Sequence, residues 1–161
     1  MGIESGDPQA LKDVKKGVTR EEMIEAGRKL KRCGILCSAT LISGLGGRQR
    51  LREHAIASAS LISAIKPDYV GFLTLMIDPQ APVYSKIVSG ELELLNPEDV
   101  VEEMKLFLQN VDSEGTVFRS NHASNYVILK GTLNEDIPSM MAYLRQVEEQ
   151  GKYREERWRR F

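Results

Sequence analysis

Residues 34–47 read Gly-Ile-Leu-Cys-Ser-Ala-Thr-Leu-Ile-Ser-Gly-Leu-Gly-Gly, and they constrain the fold more than any other stretch. Leu36, Ser38, Thr40 and Ile42 alternate with Ile35, Cys37, Ala39 and Leu41. A pleated strand sends the two sets to opposite faces. One face is wholly small or apolar, and the other carries two hydroxyls near the end of the run. Gly44, Gly46 and Gly47 follow, so the backbone can turn sharply there and approach a ligand closely. A strand of this kind requires a sheet around it. With 161 residues, 42% of them apolar and 28% charged, the chain is long enough for one domain with a real core.

Helical and strand signals alternate along the rest of the chain. Met1-Gly-Ile is a stub of strand. Asp7 and Pro8 open a short helix that Gly17 stops, and Thr19 and Glu22 stand at capping-box spacing for a second helix with Met23, Ala26, Gly27 and Leu30 as its inner stripe. Residues 49–65 place Leu51, Ala55, Ala59, Ile62 and Ile65 at helical spacing. Tyr69 to Ile77 is nearly continuous in apolar residues, which predicts a strand buried on both faces, and Asp78 to Tyr84 is a loop at its end. Asn96 and Pro97 open a helix burying Val100, Met104, Phe107, Leu108 and Val111. Gly115 to Arg119 reads as a short strand, Lys130-Gly-Thr as a turn, and 135–150 as the last helix, stopped by Gly151.

This order predicts an α/β fold of parallel strands joined by right-handed crossovers. The polar or glycine-rich segments Glu4 to Gly6, Gly44 to Gly47, Asp78 to Tyr84 and Arg119 to Tyr126 each follow a strand, so all four fall on the carboxyl rim, where such sheets bind ligands. The net charge of −1 gives no overall reason to expect nucleic acid, and the apolar runs fall short of the roughly 20 residues of a membrane helix. With no export signal, Cys33 and Cys37 read as reduced thiols of a cytoplasmic protein.

Four segments together resemble the second half of a radical S-adenosylmethionine (SAM) enzyme. They are Met-Gly-Ile-Glu-Ser-Gly-Asp at 1–7, Lys-Lys-Gly-Val-Thr at 15–19, Ile-Ser-Gly-Leu-Gly-Gly at 42–47 and Phe-Arg-Ser-Asn-His-Ala-Ser-Asn-Tyr at 118–126. The resemblance covers all but the last ten residues and is nearest to proteins related to oxygen-independent coproporphyrinogen oxidases and to Elongator-type radical proteins. It implies a partial (β/α) barrel over residues 1–151, followed by a basic and aromatic tail over 152–161. It also implies that Glu4, Ser5 and Thr40 lie against the SAM ribose. Lys16 would pair with the methionine carboxylate. Gly44 and Gly46 would lie against the adenine, and Leu75 and Met76 would present backbone to the adenine edge. On the residues alone, Glu4 is equally a turn cap, Lys16 a solvated charge and the glycines a tight turn.

The family's Cys-x3-Cys-x2-Cys triplet, which holds a [4Fe-4S] cluster, is missing from this chain. Cys33 and Cys37 share its first spacing and Thr40 stands where the third cysteine would. In an extended run, residues 33 and 40 lie about 23 Å apart at 3.3 Å per residue, too far to converge on one cluster. No metal site is therefore expected in this chain. Strands matching the family's first three are also missing, which suggests an N-terminally truncated piece. A half barrel exposes a strand edge and an apolar inner face, so self-association, or covering by the missing half, is expected.

Arg119 and His122 are the candidate catalytic residues. His122 could donate to a substrate carboxylate or exchange a proton near neutral pH, or serve its own loop; Arg119 could hold an acidic substrate group, or snorkel from the strand end. His54, within a helix facing solvent or a neighbour, reads as structural. The tail interleaves Lys152, Arg154, Arg157, Arg159 and Arg160 with Tyr153, Trp158 and Phe161, and reads as a frayed or packing segment. Two functions are open: the SAM-binding half of a radical SAM enzyme, competent only with its missing half, or a non-catalytic α/β domain that self-associates and retains a nucleotide pocket.

Overall fold

A computed structural model describes residues 1–160; Phe161 of the tail lies outside the described residues. The strands are β1 (Gly2–Glu4), β2 (Ser38–Ser43), β3 (Tyr69–Thr74), β4 (Val117–Arg119) and β5 (Lys130–Thr132). The helices are α1 (Pro8–Asp13), α2 (Arg20–Arg32), α3 (Leu51–Ile65), α4 (Tyr84–Val88), α5 (Pro97–Asn110) and α6 (Ile137–Gln150). The strands form one sheet in the order β1-β2-β3-β4-β5, parallel from β1 to β4, with β5 antiparallel to β4.

Local chemistry accounts for the element ends. Asp7 caps α1 by accepting the Gln9 N–H at 3.2 Å, with Pro8 behind it. Thr19 and Glu22 form a reciprocal capping box on α2, and Asn96 and Asp99 form another on α5. Gly151 stops α6 in the left-handed conformation.

The core lies on one face of the sheet. Ala39, Leu41, Val70, Phe72 and Phe118 point into it, and α3, α5 and α6 cover them. Phe72, Phe107 and Phe118 form a ring trio with centroids 5.5 to 6.0 Å apart. At Gly27, α2 packs so closely on α3 that an added Cβ would stand 2.6 Å from Ile65 Cγ2.

Three expectations are corrected. β2 begins at Ser38, because residues 34–37 form a loop tied to the start of β3: Asp68 Oδ2 accepts the Cys37 N–H at 2.8 Å, and the Cys37 carbonyl accepts from Asp68 N. Ile35 and Leu36 are therefore exposed, at 53% and 73%. β3 is buried on one face only. Val70, Phe72 and Thr74 are enclosed while Tyr69, Gly71 and Leu73 face an open side, which none of the described elements covers. Finally, Lys130–Thr132 is a strand rather than a turn. Leu129 and Leu133 on either side of it are buried, and the chain doubles back to pair with β4.

Candidate functional site

Strand register places the site. Gly2 aligns with Thr40, Thr40 with Gly71, Gly71 with Arg119, and Arg119 with Lys130. Residues in register share a face, so this row crosses the open side of the sheet. An added Cβ at Gly71 would find no heavy atom nearer than 3.9 Å, leaving a bare floor in the middle of the row.

At one end of the row, Glu4 sits in a three-residue turn in which Ser5 N–H donates to the Ile3 carbonyl at 2.8 Å. Its φ is +63°, a backbone that costs on the order of 1–3 kcal/mol in a residue bearing a Cβ and that clusters at functional sites. The register between β1 and β2 slips at this point. Lys16 Nζ donates to Glu4 Oε1 at 3.0 Å, and both side chains are about one quarter exposed, so each already has a partner. Ser5 is fully enclosed and its Oγ accepts the Asp7 N–H at 2.9 Å. Asp7 in turn holds Arg50 through two hydrogen bonds of 2.8 and 3.0 Å. Burial alone would raise the Asp7 carboxyl, but Arg50 and the Gln9 N–H outweigh it and keep it below the usual carboxylate range.

The turn after β2 is held from beneath. Gly44 takes φ +83°, and its N–H donates to Glu103 Oε2 at 2.9 Å. Ser43 Oγ donates to the same oxygen at 2.5 Å, and His54 Nδ1 meets Glu103 Oε1 at 2.8 Å. Glu103 is fully buried, and His54 is buried rather than facing solvent or a neighbour. His54 Nε2 is the one enclosed side-chain nitrogen or oxygen without a partner among the described residues. Periodicity missed Glu103 because a carboxylate breaks the apolar stripe of α5; its spacing, one residue before Met104 and four before Phe107, was the available signal.

Leu75 stands beside Gly44, since the Leu75 N–H donates to the Ser43 carbonyl at 2.9 Å. A cleft opens at this rim between Leu45, Gly46, Arg50, Leu75, Ile77 and Lys86. Lys86, on α4, reaches Glu91 at 3.0 Å and Asp13 at 3.4 Å, so the 84–92 segment bridges to the end of α1. Met76 is half-buried beside it.

Beyond Gly71, β3 outruns β4, and segment 120–126 pairs with its edge through side chains. Asn125 Nδ2 donates to the Phe72 carbonyl at 2.8 Å, Thr74 Oγ1 donates to Asn125 Oδ1 at 3.0 Å, and Thr74 N–H donates to Ser124 Oγ at 3.3 Å. The tail then clamps this segment. Arg159 is only 6% exposed; its Nε donates to the Ser124 carbonyl at 2.6 Å, its Nη2 to the Leu75 carbonyl at 2.9 Å, and its guanidinium lies 4.1 Å from the Tyr126 ring centroid. Burial, with help from the Glu156 carboxylate, pushes the Tyr126 hydroxyl up to about 12.

Glu4, Lys16, Thr40 and Arg119 thus share the open face, with His122 just past the end of β4, while Gly44, Gly46 and Leu75 converge at the rim. Cys33 is exposed at the end of α2, and Cys37 is enclosed, where burial pushes its thiol up. Among the described residues no group of three or more His, Cys, Asp or Glu is placed to hold a metal, and no helix is long and apolar enough to cross a membrane.

No family model and no curated protein matches this sequence. A solved structure is similar in fold: archaeal Elp3 from Methanocaldococcus infernus with its N-terminus deleted, at a TM-score of 0.62 and 20% identity over 94% of this chain. The chain spans 35% of that protein's length. The likeness establishes the architecture, an α/β partial barrel similar to about one third of that Elp3.

Proposed function

We propose that the chain is the SAM-binding half of a radical SAM barrel, not catalytic by itself. The observation that carries this reading is the shared wall made by the Gly44 turn and the end of β3, opening into an apolar cleft with polar Gln49, Arg50 and Lys86 at its edge. Apolar walls with a few polar groups suit a nucleobase. Glu4 and Thr40 on the open face supply acceptors for ribose hydroxyls, and Lys16 supplies a cation for the methionine carboxylate once it exchanges partners with Glu4. When bound beside a reduced [4Fe-4S] cluster, SAM supplies a 5′-deoxyadenosyl radical. The thiols of this chain do not fit such a cluster, since Cys33 and Cys37 are only two and lie in different environments. In this reading a separate half of the barrel would hold the cluster and supply the radical chemistry. Arg119 and His122 then face the substrate, and the free thiols suit a reducing, cytoplasmic setting.

Calorimetric titration of the whole chain with SAM tests this. The expected result is saturable heat, with affinity about tenfold weaker in Lys16→Ala, a loss of roughly 1.4 kcal/mol. Absence of heat from a folded sample, or no effect of Lys16→Ala, overturns the proposal.

The second reading, a self-associating non-catalytic half barrel, draws on the unpaired edge of β1 and on exposed Met1, Leu36 and Tyr69. Sedimentation equilibrium showing a dimer in a chain that ignores SAM and adenosine would favour it.

A further inference from the structure

Arg119 and Lys130 are directly opposed across the β4–β5 pair, and both are exposed on the open face. Like charges directly opposite each other on one face of a sheet destabilise it. Neither has a carboxylate within salt-bridge distance among the described residues, whereas Lys16 on the same face is paired with Glu4. Two uncompensated cations are thus kept side by side on a short strand pair.

His122 stands on the same side, in a bay with Gly71, Leu73, Arg119, Asn121 and Ala123. Its tautomer is set by its neighbours. Nδ1 accepts the Ser124 N–H at 3.2 Å and lies 2.9 Å from Ser124 Oγ. Ser124 Oγ already accepts from Thr74 N, so its own proton is free to go to Nδ1. With Nδ1 accepting, the neutral ring carries its proton on Nε2. Arg119 spends Nη1 on the Phe118 carbonyl at 2.8 Å, and its other N–H groups remain.

We infer that the Arg119–Lys130 pair and the bay adjoining it together bind a phosphate-type dianion carried by the substrate, with Arg119 and Lys130 as counter-charges and His122 Nε2–H as a third donor. Two permanent cations match two negative charges. Three donors arriving from two strands and a loop suit a tetrahedral oxyanion better than a planar carboxylate, which a single guanidinium satisfies. The bare Gly71 floor leaves room for the rest of the substrate. The inference adds a substrate class to the proposed function and rests on the open face being its active side.

The test uses the full chain and inorganic phosphate, with no nucleoside present, so its failure and the failure of SAM binding are separate results. Long-range ¹H–¹⁵N spectra report the His122 ring while phosphate, methyl phosphate or acetate is added at constant ionic strength. Saturable movement of Nε2 is expected with both phosphates, weakened about tenfold or more by Arg119→Gln and by Lys130→Gln. Lys130→Gln, which relieves the repulsion, is expected to melt at an equal or higher temperature, so lost binding there is not lost folding. The inference is overturned if acetate acts as strongly as phosphate, if sodium chloride alone reproduces the shifts, or if Lys130→Gln leaves phosphate binding unchanged.

Discussion

The Glu103 carboxylate lies 2.9 Å below the Gly44 N–H, and through it helix α5 sets the shape of the rim turn after β2. The same side chain serves Ser43 and His54. Glu103→Gln keeps some of these contacts and is expected to cost about 1–3 kcal/mol; Glu103→Ala strands all of them and is expected to cost about 3–5 kcal/mol. Urea unfolding measures both. In Glu103→Gln, SAM affinity should fall while the overall secondary structure, read by circular dichroism, stays unchanged.

Arg159 joins the tail to β3 and to segment 120–126. Arg159→Ala is expected to destabilise by roughly 2–3 kcal/mol, since it strips the donor from the buried Ser124 carbonyl and the half-buried Leu75 carbonyl and uncovers the Tyr126 ring. Arg159→Lys should recover little, because an ammonium cannot reproduce the planar fork. Hydrogen exchange should accelerate at Thr74 and Asn125 in both variants, and unchanged protection there would refute the clamp.

Tyr126 gives a pH signature. Its hydroxyl titrates near 10 when unfolded and is held up to about 12 in the fold, chiefly by burial. A raised pKa means stability is complete below pH 10 and is lost as pH climbs towards 12. Thermal melts across that range should show a decline that Tyr126→Phe makes shallower. An identical slope in the variant would show that the decline comes from elsewhere.

Gly27→Ala tests the α2–α3 contact. Helix propensity alone favours alanine by up to about 1 kcal/mol, but the new methyl meets Ile65 at 2.6 Å in a packed core. Overpacking of this sort typically costs about 1–3 kcal/mol, so the net effect is expected to be a lower melting temperature. Adding Ile65→Val should restore part of the loss.

The helices other than the short α4, which lacks a capping side chain, were legible because their signals are local. Asp7-Pro8, Thr19 with Glu22, and Asn96-Pro97 each satisfy the donors of the turn that follows them, whatever the rest of the chain does. The α/β architecture followed from their alternation with apolar runs. The interior of β3 was misjudged because continuous apolarity cannot distinguish a strand covered on both faces from one whose second face awaits cover. β5 was missed for a related reason: Lys130-Gly-Thr sets one β-branched residue beside a lysine and a glycine, which disfavour strands, and pairing with β4 fixes it. Of the site, Leu75 entered with the resemblance, and the rim placement of Gly44 and Gly46 was readable from their position after a strand. The Glu103 support and the Lys130 partner of Arg119 were not, since both come from pairings between residues distant in sequence.

The hydrogen bond from Arg159 to the Leu75 carbonyl spans 84 residues. Bringing such distant points together costs loop-closure entropy that only the intervening structure can reduce, so this contact belongs among the last to form during folding. During synthesis on the ribosome the β3 tip therefore emerges long before its cover. For that interval the nascent chain presents an open strand end, a natural point for a chaperone to engage.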